Sequence, residues 1–333
     1  MGMADTVTKA YMRKNNIFAD AFNYLIYEGK PVVEPERLRE VDTTEIALPF
    51  GPQENGNGNS QSSEMIQKYR DILKSAVVMQ EDEAAYILLG IENQTDIHYA
   101  MPVRNMIYDA LQYGKQVADT AVRHRKNYKN FRKHTSGEYL SGFYKEDVLK
   151  PVITLVIHFG ADEWDAPLSL HEMMGSQNKK LMRYIQDYQI HLIDPAKLTQ
   201  EDLNKFTSSL REVIEYIKYS KDKEKLSRIL KDNSRMLIDR EAALVIKTIT
   251  NTAIEISEKE EKIDMCKAID DMLSEREARG AAKGEIRGIE IGELRMLVKQ
   301  VKKGRLTIEE AAEDAAMSVE KFRNVTDDML KES

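Results

Sequence analysis

The sequence predicts an α/β (α+β) fold in which a mixed central sheet of order α-β-β-β-α-β is followed by a helical carboxyl-terminal extension. Short apolar runs of strand length follow an amphipathic amino-terminal segment, and a helix-like segment separates them from a further apolar run. From about residue 198 the apolar residues recur at helical spacing. With 42% hydrophobic and 32% charged residues, the 333-residue chain can form one sizeable core and a smaller, mostly helical part.

The first half of the predicted core contains one helix and three strands. Apolar spacing predicts the helix over Thr8 to Tyr27 and the first strand over Thr44 to Phe50, before the polar, glycine-rich loop GPQENGNGNSQSS. The run DILKSAVVM, which begins at Asp71, predicts the second strand. The third is the apolar run that starts near Tyr86 and ends at Glu92.

The second half of the core contains a helix and a buried strand. Pro102 suits the first turn of a helix, so a helix is predicted from Met101 onward. The segment PVITLVIHF, Pro151 to Phe159, is a continuous apolar run typical of a buried strand, and YQIHLI, Tyr188 to Ile193, is a candidate for another.

Polar residues stand where two of the predicted strands meet. Glu92 and Gln94 are two residues apart and therefore share one face of a strand. A short connection makes the strand of Asp71 an antiparallel neighbour, which would bring Asp71 close to Glu92. Two such carboxylates, without a cysteine cluster, favour Mg²⁺ or Mn²⁺. Taken alone, an acidic residue at a strand end is most often a solvated cap or turn residue, and only the four motifs described next favour a site.

Four short motifs occur in order: RD at Arg70-Asp71, IENQ at Ile91 to Gln94, MPVR at Met101 to Arg104, and YDALQY at Tyr108 to Tyr113. Together they resemble the PD-(D/E)XK nuclease superfamily and, within it, the Rpn recombination-promoting nucleases, also called YhgA-like putative transposases. The resemblance covers roughly the first two hundred residues. It implies a restriction-endonuclease-like core.

The resemblance implies a Mg²⁺-dependent DNA endonuclease, with Mn²⁺ as an alternative metal, that could promote recombination or mobile-element movement. Asp71 and Glu92 would bind the metal. Gln94 stands where the superfamily has lysine, and a neutral amide can orient water but adds no charge. Asp20 matches an acidic residue of the family's first helix and could hold a second metal. The competing hypothesis is a catalytically inactive DNA-binding or interaction protein that retains the fold.

A basic stripe, RHRKNYKNFRK, follows the helix of Arg104 and predicts contact with a phosphate backbone. Its cations are Arg123, Arg125, Lys126, Lys129, Arg132 and Lys133. Taken alone, the stripe is explained equally well as a solvated helix end and loop, but its position just after the helix of Arg104 favours DNA contact. Arg104 is the further candidate for a phosphate contact, because its guanidinium presents a bidentate fork, although ordinary helix packing also explains it.

The sequence divides into a nuclease-like domain at 1–197, a helical extension at 198–278, a glycine-repeat connector helix or linker at 279–303, and a helix-turn-helix-like tail at 304–333. Thr307 and Ser318 are the predicted caps of the two tail helices. The glycines at 280, 284, 288 and 292 would suit either close helix approach in a homodimer or a flexible connector.

Several classes of protein are excluded by composition. No apolar run approaches the roughly twenty residues that span a bilayer, and no signal peptide opens the chain. The single Cys266 excludes an intramolecular disulfide and a cysteine-rich zinc site. The net charge of −7 argues against a protein that coats nucleic acid indiscriminately. We therefore expect a cytoplasmic protein that binds DNA and no membrane.

Overall fold

A computed structural model describes residues 2–41, 44–47, 66–69, 71–80, 83–126, 135–175, 178–232 and 236–331. The chain forms two compact units, Met1–Cys266 and Lys267–Ser333. The first unit contains a mixed sheet with helices, and the described part of the second is helical. This confirms the predicted fold class, a mixed α/β core with a helical extension.

The central sheet has five strands in the order β1, β4, β5, β6, β7. These strands are β1 (Arg39–Glu40), β4 (Ile72–Gln80), β5 (Glu83–Gln94), β6 (Val152–His158) and β7 (His191–Ile193). The antiparallel pairing of β4 with β5 places Ile72 opposite Ile91, as predicted from their short connection. Strands β6 and β7 continue the sheet in parallel. Two further antiparallel pairs lie outside it: β2 (Thr44–Ala47) with β3 (Ile66–Tyr69), and β8 (Leu237–Asp239) with β9 (Lys262–Asp264).

The structure describes ten helices that lie wholly within the first unit. They are α1 (Met3–Met12), α2 (Asn15–Tyr27), α3 (Met101–Lys126), α4 (Ser136–Ser141), α5 (Leu170–Met173), α6 (Lys179–Met182), α7 (Gln200–Asn204), α8 (Leu210–Tyr219), α9 (Lys223–Asp232) and α10 (Arg240–Thr250). On the sheet face that α3 covers, Met101 packs against Val156 and Trp164. Halfway along α3, Tyr113 packs against Leu88 and Val152. The helix therefore runs along the sheet with its first turns at the end of β5.

The amino-terminal helix is interrupted, whereas a single helix over Thr8 to Tyr27 was predicted. Lys14 has extended backbone angles, φ −61° and ψ 128°, so α1 ends before it and α2 begins after it. The ammonium of Lys74, whose residue is only 1% exposed, donates to the carbonyl of Arg13 at 2.5 Å and to the side-chain oxygen of Asn15 at 2.6 Å. Lys74 comes from β4, so the break depends on a tertiary contact that apolar spacing does not reveal.

Two further helical predictions are corrected. The segment Leu203 to Tyr219 is divided into α7 and α8. Thr207 and Ser208 lie between the two helices, and their backbone N–H groups donate to the buried carboxylate of Asp20. The segment Leu226 to Ile256 contains α9 and α10 separated by β8. Strand β1 was not predicted, since two exposed residues carry no pattern. Of the strand predicted over Thr44 to Phe50, residues 44–47 are strand; its remainder and the glycine-rich loop lie outside the described residues.

The second unit comprises most of α11 (Met265–Lys302), together with α12 (Ile308–Asp314) and α13 (Val319–Lys331). Its core contains Leu294, Val298, Ala311, Ala312 and Phe322. Thr307 forms a capping box with Glu310, and the Ser318 hydroxyl accepts from the backbone of Lys321, which confirms both predicted caps. The four glycines at 280, 284, 288 and 292 lie inside α11, so this stretch is helical. No helix within the described ranges is long and apolar enough to cross a membrane.

Candidate active site

Asp71 and Glu92 meet where β4 begins and β5 ends. The backbone N–H of Asp71 donates to Glu92 Oε1 at 3.2 Å, and the N–H of Asn93 donates to Asp71 Oδ2 at 2.9 Å. Glu92 is fully buried and Asp71 is buried. The antiparallel register thus brings together the two carboxylates that the sequence singled out. Burial of two like charges is costly unless cations lie close by.

A cation lies beside each of the two carboxylates. Lys9 Nζ, from α1, is 3.4 Å from Asp71 Oδ1, and Arg104 Nη2, from α3, is 2.9 Å from Glu92 Oε2. Arg104 was among the predicted residues, but Lys9 was not. It precedes Asp71 by 62 residues and belongs to no recognisable motif, so no local pattern could have indicated it.

Arg104 is held in place by a second contact. Its Nε donates to the hydroxyl of Tyr108 at 3.2 Å, one helical turn further along α3. Desolvation, the largest influence, acts to lower the pKa of Arg104, but Glu92, Tyr108 and Asp71 together outweigh it and raise that pKa above its ordinary value. Burial, reinforced by Glu92, also raises the pKa of Tyr108. At neutral pH the pair therefore presents a cation and a neutral hydroxyl.

Gln94 is the last residue of β5 and shares the strand face of Glu92. Its backbone carbonyl accepts from the N–H of Phe159 at 2.7 Å and lies 3.3 Å from Nδ1 of the buried His158. The end of β6 therefore fixes the backbone from which the Gln94 amide projects. The side chain carries no charge, so within this cluster Lys9 and Arg104 are the positive groups.

Asp20 makes its described contacts elsewhere. Its carboxylate accepts from the backbone N–H and the hydroxyl of Thr207, and from the same two groups of Ser208, at 2.6 to 3.1 Å. The residue is 3% exposed. These donors occupy the carboxylate and place it at the start of α8. The structure brings Asp20 to that turn rather than into the cluster of Asp71 and Glu92.

The basic stripe begins at the far end of α3. Arg123, Arg125 and Lys126 are exposed there, and Arg123 donates to the Thr120 hydroxyl at 2.8 Å. At 1.5 Å per residue, these cations lie about 30 Å along the helix from Arg104. Lys129, Arg132 and Lys133 lie outside the described residues.

The donor set fits a metal that is shared with a substrate. Among the residues that the structure describes, no group of three or more His, Cys, Asp or Glu could hold an ion. Magnesium commonly binds through one or two carboxylates, keeps several waters and takes further oxygens from phosphate. The adjacent carboxylates of Asp71 and Glu92 suit that arrangement. The two cations beside them show that the pair attracts positive charge.

Replacing Arg104 by glutamine is expected to destabilise the first unit by about 2–3 kcal/mol in EDTA, because Glu92 would lose its cation while remaining buried. This loss of stability is smaller than that expected for breaking a fully buried ion pair, because the Arg104 side chain is 30% exposed. Urea unfolding followed by the fluorescence of Trp164, the single tryptophan, measures it. Added Mg²⁺ should reduce the difference in unfolding free energy between wild type and Arg104→Gln.

The matched control for Arg104 is Arg123→Gln on the exposed end of the same helix, which should change stability by less than about 0.5 kcal/mol. Equal urea midpoints for the two variants would show that the Arg104–Glu92 contact contributes nothing to the fold.

The comparison with known protein families identifies the central part of the chain. Residues 61–243, more than half of the sequence, match a family model described as a putative transposase, YhgA-like. This stretch includes Asp71, Glu92, Gln94 and Arg104, whereas Lys9 and Asp20 precede it. No curated protein and no solved structure shows a significant match.

Proposed function

This chain belongs to the YhgA-like putative transposase family, and we propose that it is a metal-dependent endonuclease that hydrolyses phosphodiester bonds in DNA. The observation that carries the proposal is the contact between Asp71 and Glu92 at the end of two paired strands, with a cation beside each. Such a cut would serve recombination or the movement of a mobile element.

The chemistry requires a group that polarises the phosphate and a water in line with the leaving oxygen. Asp71 and Glu92 would hold Mg²⁺ or Mn²⁺, which acts as a Lewis acid and lowers the pKa of bound water. Arg104, which already engages Tyr108 through Nε and Glu92 through Nη2, would direct its remaining N–H donors to the non-bridging phosphate oxygens. The attacking water would lose a proton to solvent and form the new P–O bond as the bond to the leaving oxygen breaks, and the leaving oxygen would take up a proton from solvent.

Gln94 would steer the attacking water. Its amide oxygen accepts a hydrogen bond from water, and its NH₂ group can donate to a phosphate oxygen. Because the backbone of Gln94 is fixed by Phe159, the amide operates from a rigid strand end. Tyr108, neutral at neutral pH, keeps the Arg104 guanidinium oriented rather than acting as a base.

The far end of α3 would hold the DNA backbone. Arg123, Arg125 and Lys126 are exposed, and each phosphate contact gains free energy by releasing counterions. Their separation from Arg104 corresponds to about nine base pairs of duplex, at 3.4 Å per step. The net charge of −7 confines nucleic acid to such local patches and disfavours binding elsewhere.

One observation favours a second function, a DNA-binding protein without catalysis. Lys9 and Arg104 already neutralise the two carboxylates, so the fold does not require a metal at this site. With Gln94 in the lysine position, a site of this kind could persist as a structural ion-pair cluster. Cleavage and DNA retention must therefore be measured together.

The test is plasmid cleavage at low salt with Mg²⁺, Mn²⁺, Ca²⁺ or EDTA, using wild type, Asp71→Asn and the exposed control Asp119→Asn. We expect nicking or linearisation by wild type and the control in Mg²⁺ or Mn²⁺, and none by Asp71→Asn or in EDTA. A gel shift without cutting by wild type would support the second function. If the wild-type protein neither cuts the plasmid nor shifts it on a gel, both proposed functions are overturned.

A further inference from the structure

We propose that Lys9 of α1 is the substrate-contacting cation of this site, supplying the positive charge that Gln94 lacks. In the structure its ammonium pairs with Asp71; when metal and DNA are bound, it would contact the phosphate. The inference rests on the proposed function. It concerns a residue that precedes the stretch matched by the family model, so family membership assigns it no role.

Helix α1 holds Lys9 in a fixed position. Thr8, Tyr11 and Met12 are fully buried and form the packed side of the helix, and the Tyr11 hydroxyl lies 3.0 Å from the Ser209 hydroxyl. At the carboxyl-terminal end of α1, the Lys74 ammonium donates to the backbone carbonyl of Arg13. Lys9 is next to Thr8 at the edge of this packed side, and its side chain is 20% exposed. Its ammonium is therefore delivered to the site by a rigid element yet remains accessible to a ligand.

The contacts of the two cations differ in length and number. Arg104 approaches Glu92 at 2.9 Å and is also bound to Tyr108, whereas Lys9 is 3.4 Å from Asp71. Charge-assisted N–H···O contacts are usually 2.7–2.9 Å long, so the contact of Lys9 is the weaker one. A divalent cation on Asp71 would compete with Lys9 for the same carboxylate and release the ammonium.

The released ammonium has the chemistry that the site needs. Lysine is a compact point charge with three donors on a flexible stem and is a common phosphate ligand. Charge develops on the phosphate oxygens as the P–O bond breaks, and a positioned cation stabilises it more than a neutral amide does. Lys9 and Arg104 would then bind the phosphate from α1 and α3, the two helices that bring cations to the carboxylates.

The first test is Mn²⁺ titration by calorimetry of the full chain without DNA. Lys9→Gln removes the competitor and should bind Mn²⁺ up to about fivefold more tightly, the ratio for a salt bridge of about 1 kcal/mol. Lys14→Gln is the control, because Lys14 pairs with Glu241 rather than with either carboxylate of the site. It should leave Mn²⁺ affinity unchanged. Equal affinities for wild type and Lys9→Gln would overturn the inference.

The second test measures DNA contact and cleavage separately. In Ca²⁺, Lys9→Gln should weaken duplex binding and reduce the slope of log affinity against log salt by about 1, whereas Lys9→Arg and Lys14→Gln should keep the slope. In Mg²⁺, Lys9→Gln should cut about a hundredfold more slowly. Trp164 fluorescence checks that each variant is folded.

The outcomes for Lys9 and for the proposed function are distinguishable. If wild type does not cut, the nuclease proposal fails, and the Mn²⁺ titration still decides whether Lys9 competes with metal at Asp71. If wild type cuts and Lys9→Gln cuts at the same rate with an unchanged salt slope, the nuclease proposal stands and the role of Lys9 is rejected.

Discussion

Replacing Glu92 by glutamine is expected to reduce Mg²⁺-dependent cleavage by about a thousandfold or more. The carboxylate would contribute a metal ligand, and loss of Lewis-acid stabilisation worth about 4 kcal/mol corresponds to that factor. The fold should survive, because the glutamine oxygen can still accept from the N–H of Asp71 and because Arg104 is partly exposed to water. Single-turnover cleavage of a labelled duplex, at saturating protein, measures the effect on the chemical step.

Glu163→Gln is the control for this substitution, since Glu163 forms an exposed ion pair with Lys197. It removes the same charge from the chain and should leave the rate unchanged. If Glu92→Gln cuts within tenfold of wild type while Mn²⁺ affinity is also retained, Glu92 is not a metal ligand and the site must be sought elsewhere.

Replacing Asp20 by alanine is expected to destabilise the first unit by about 3–5 kcal/mol. Thr207 and Ser208 would lose the acceptor of two backbone N–H groups and two hydroxyls, and unmet buried donors cost about 1–3 kcal/mol each before relaxation and water entry. The start of α8 would also lose a negative charge, which favours a helix amino terminus. Urea unfolding followed by Trp164 fluorescence gives the change in midpoint.

Two comparisons make the Asp20 prediction specific. Asp119→Ala, on the exposed side of α3, should change stability by less than about 0.5 kcal/mol. Asp20→Asn should retain the Mn²⁺ stoichiometry of wild type, because the Asp20 carboxylate is occupied by Thr207 and Ser208. If Asp20→Asn binds fewer Mn²⁺ ions per chain than wild type and has an unchanged unfolding midpoint, Asp20 is instead the second metal ligand that the family resemblance implies.

The adjacency of Asp71 and Glu92 could be predicted because it depends on a short-range rule. Strands joined by a short connection pair antiparallel, and the positions of the two residues in their apolar runs then bring them side by side. The alternation of a strand likewise places Gln94 on the face of Glu92. These relations require only period and spacing, both of which can be read directly from the residues.

The contacts of Lys9 and Asp20 could not be predicted in this way. Lys9 pairs with a residue 62 positions away, and Asp20 binds residues 187 and 188 positions away. The polar run Arg13 to Asn16 and the cluster Thr207-Ser208-Ser209 are local signs of a break, but neither indicates which distant residue is bound there. Both depend on how the amino-terminal helices pack against distant elements, which a periodicity of 3.6 residues does not encode.

The packing of the amino-terminal helices has a consequence for synthesis on the ribosome. Gly29, with φ +86°, follows α2 and lies so close to Lys205 that a Cβ atom would come within 2.5 Å of the Lys205 carbonyl oxygen. Together with the contacts of Asp20, this joins the first thirty residues to partners made about 180 residues later. At about 5–20 residues per second, α1 and α2 must wait roughly 10–40 s for them. The Lys9 side of the site is therefore translated well before the elements that hold it in place, so a nascent chain would lack the complete site until those elements have emerged.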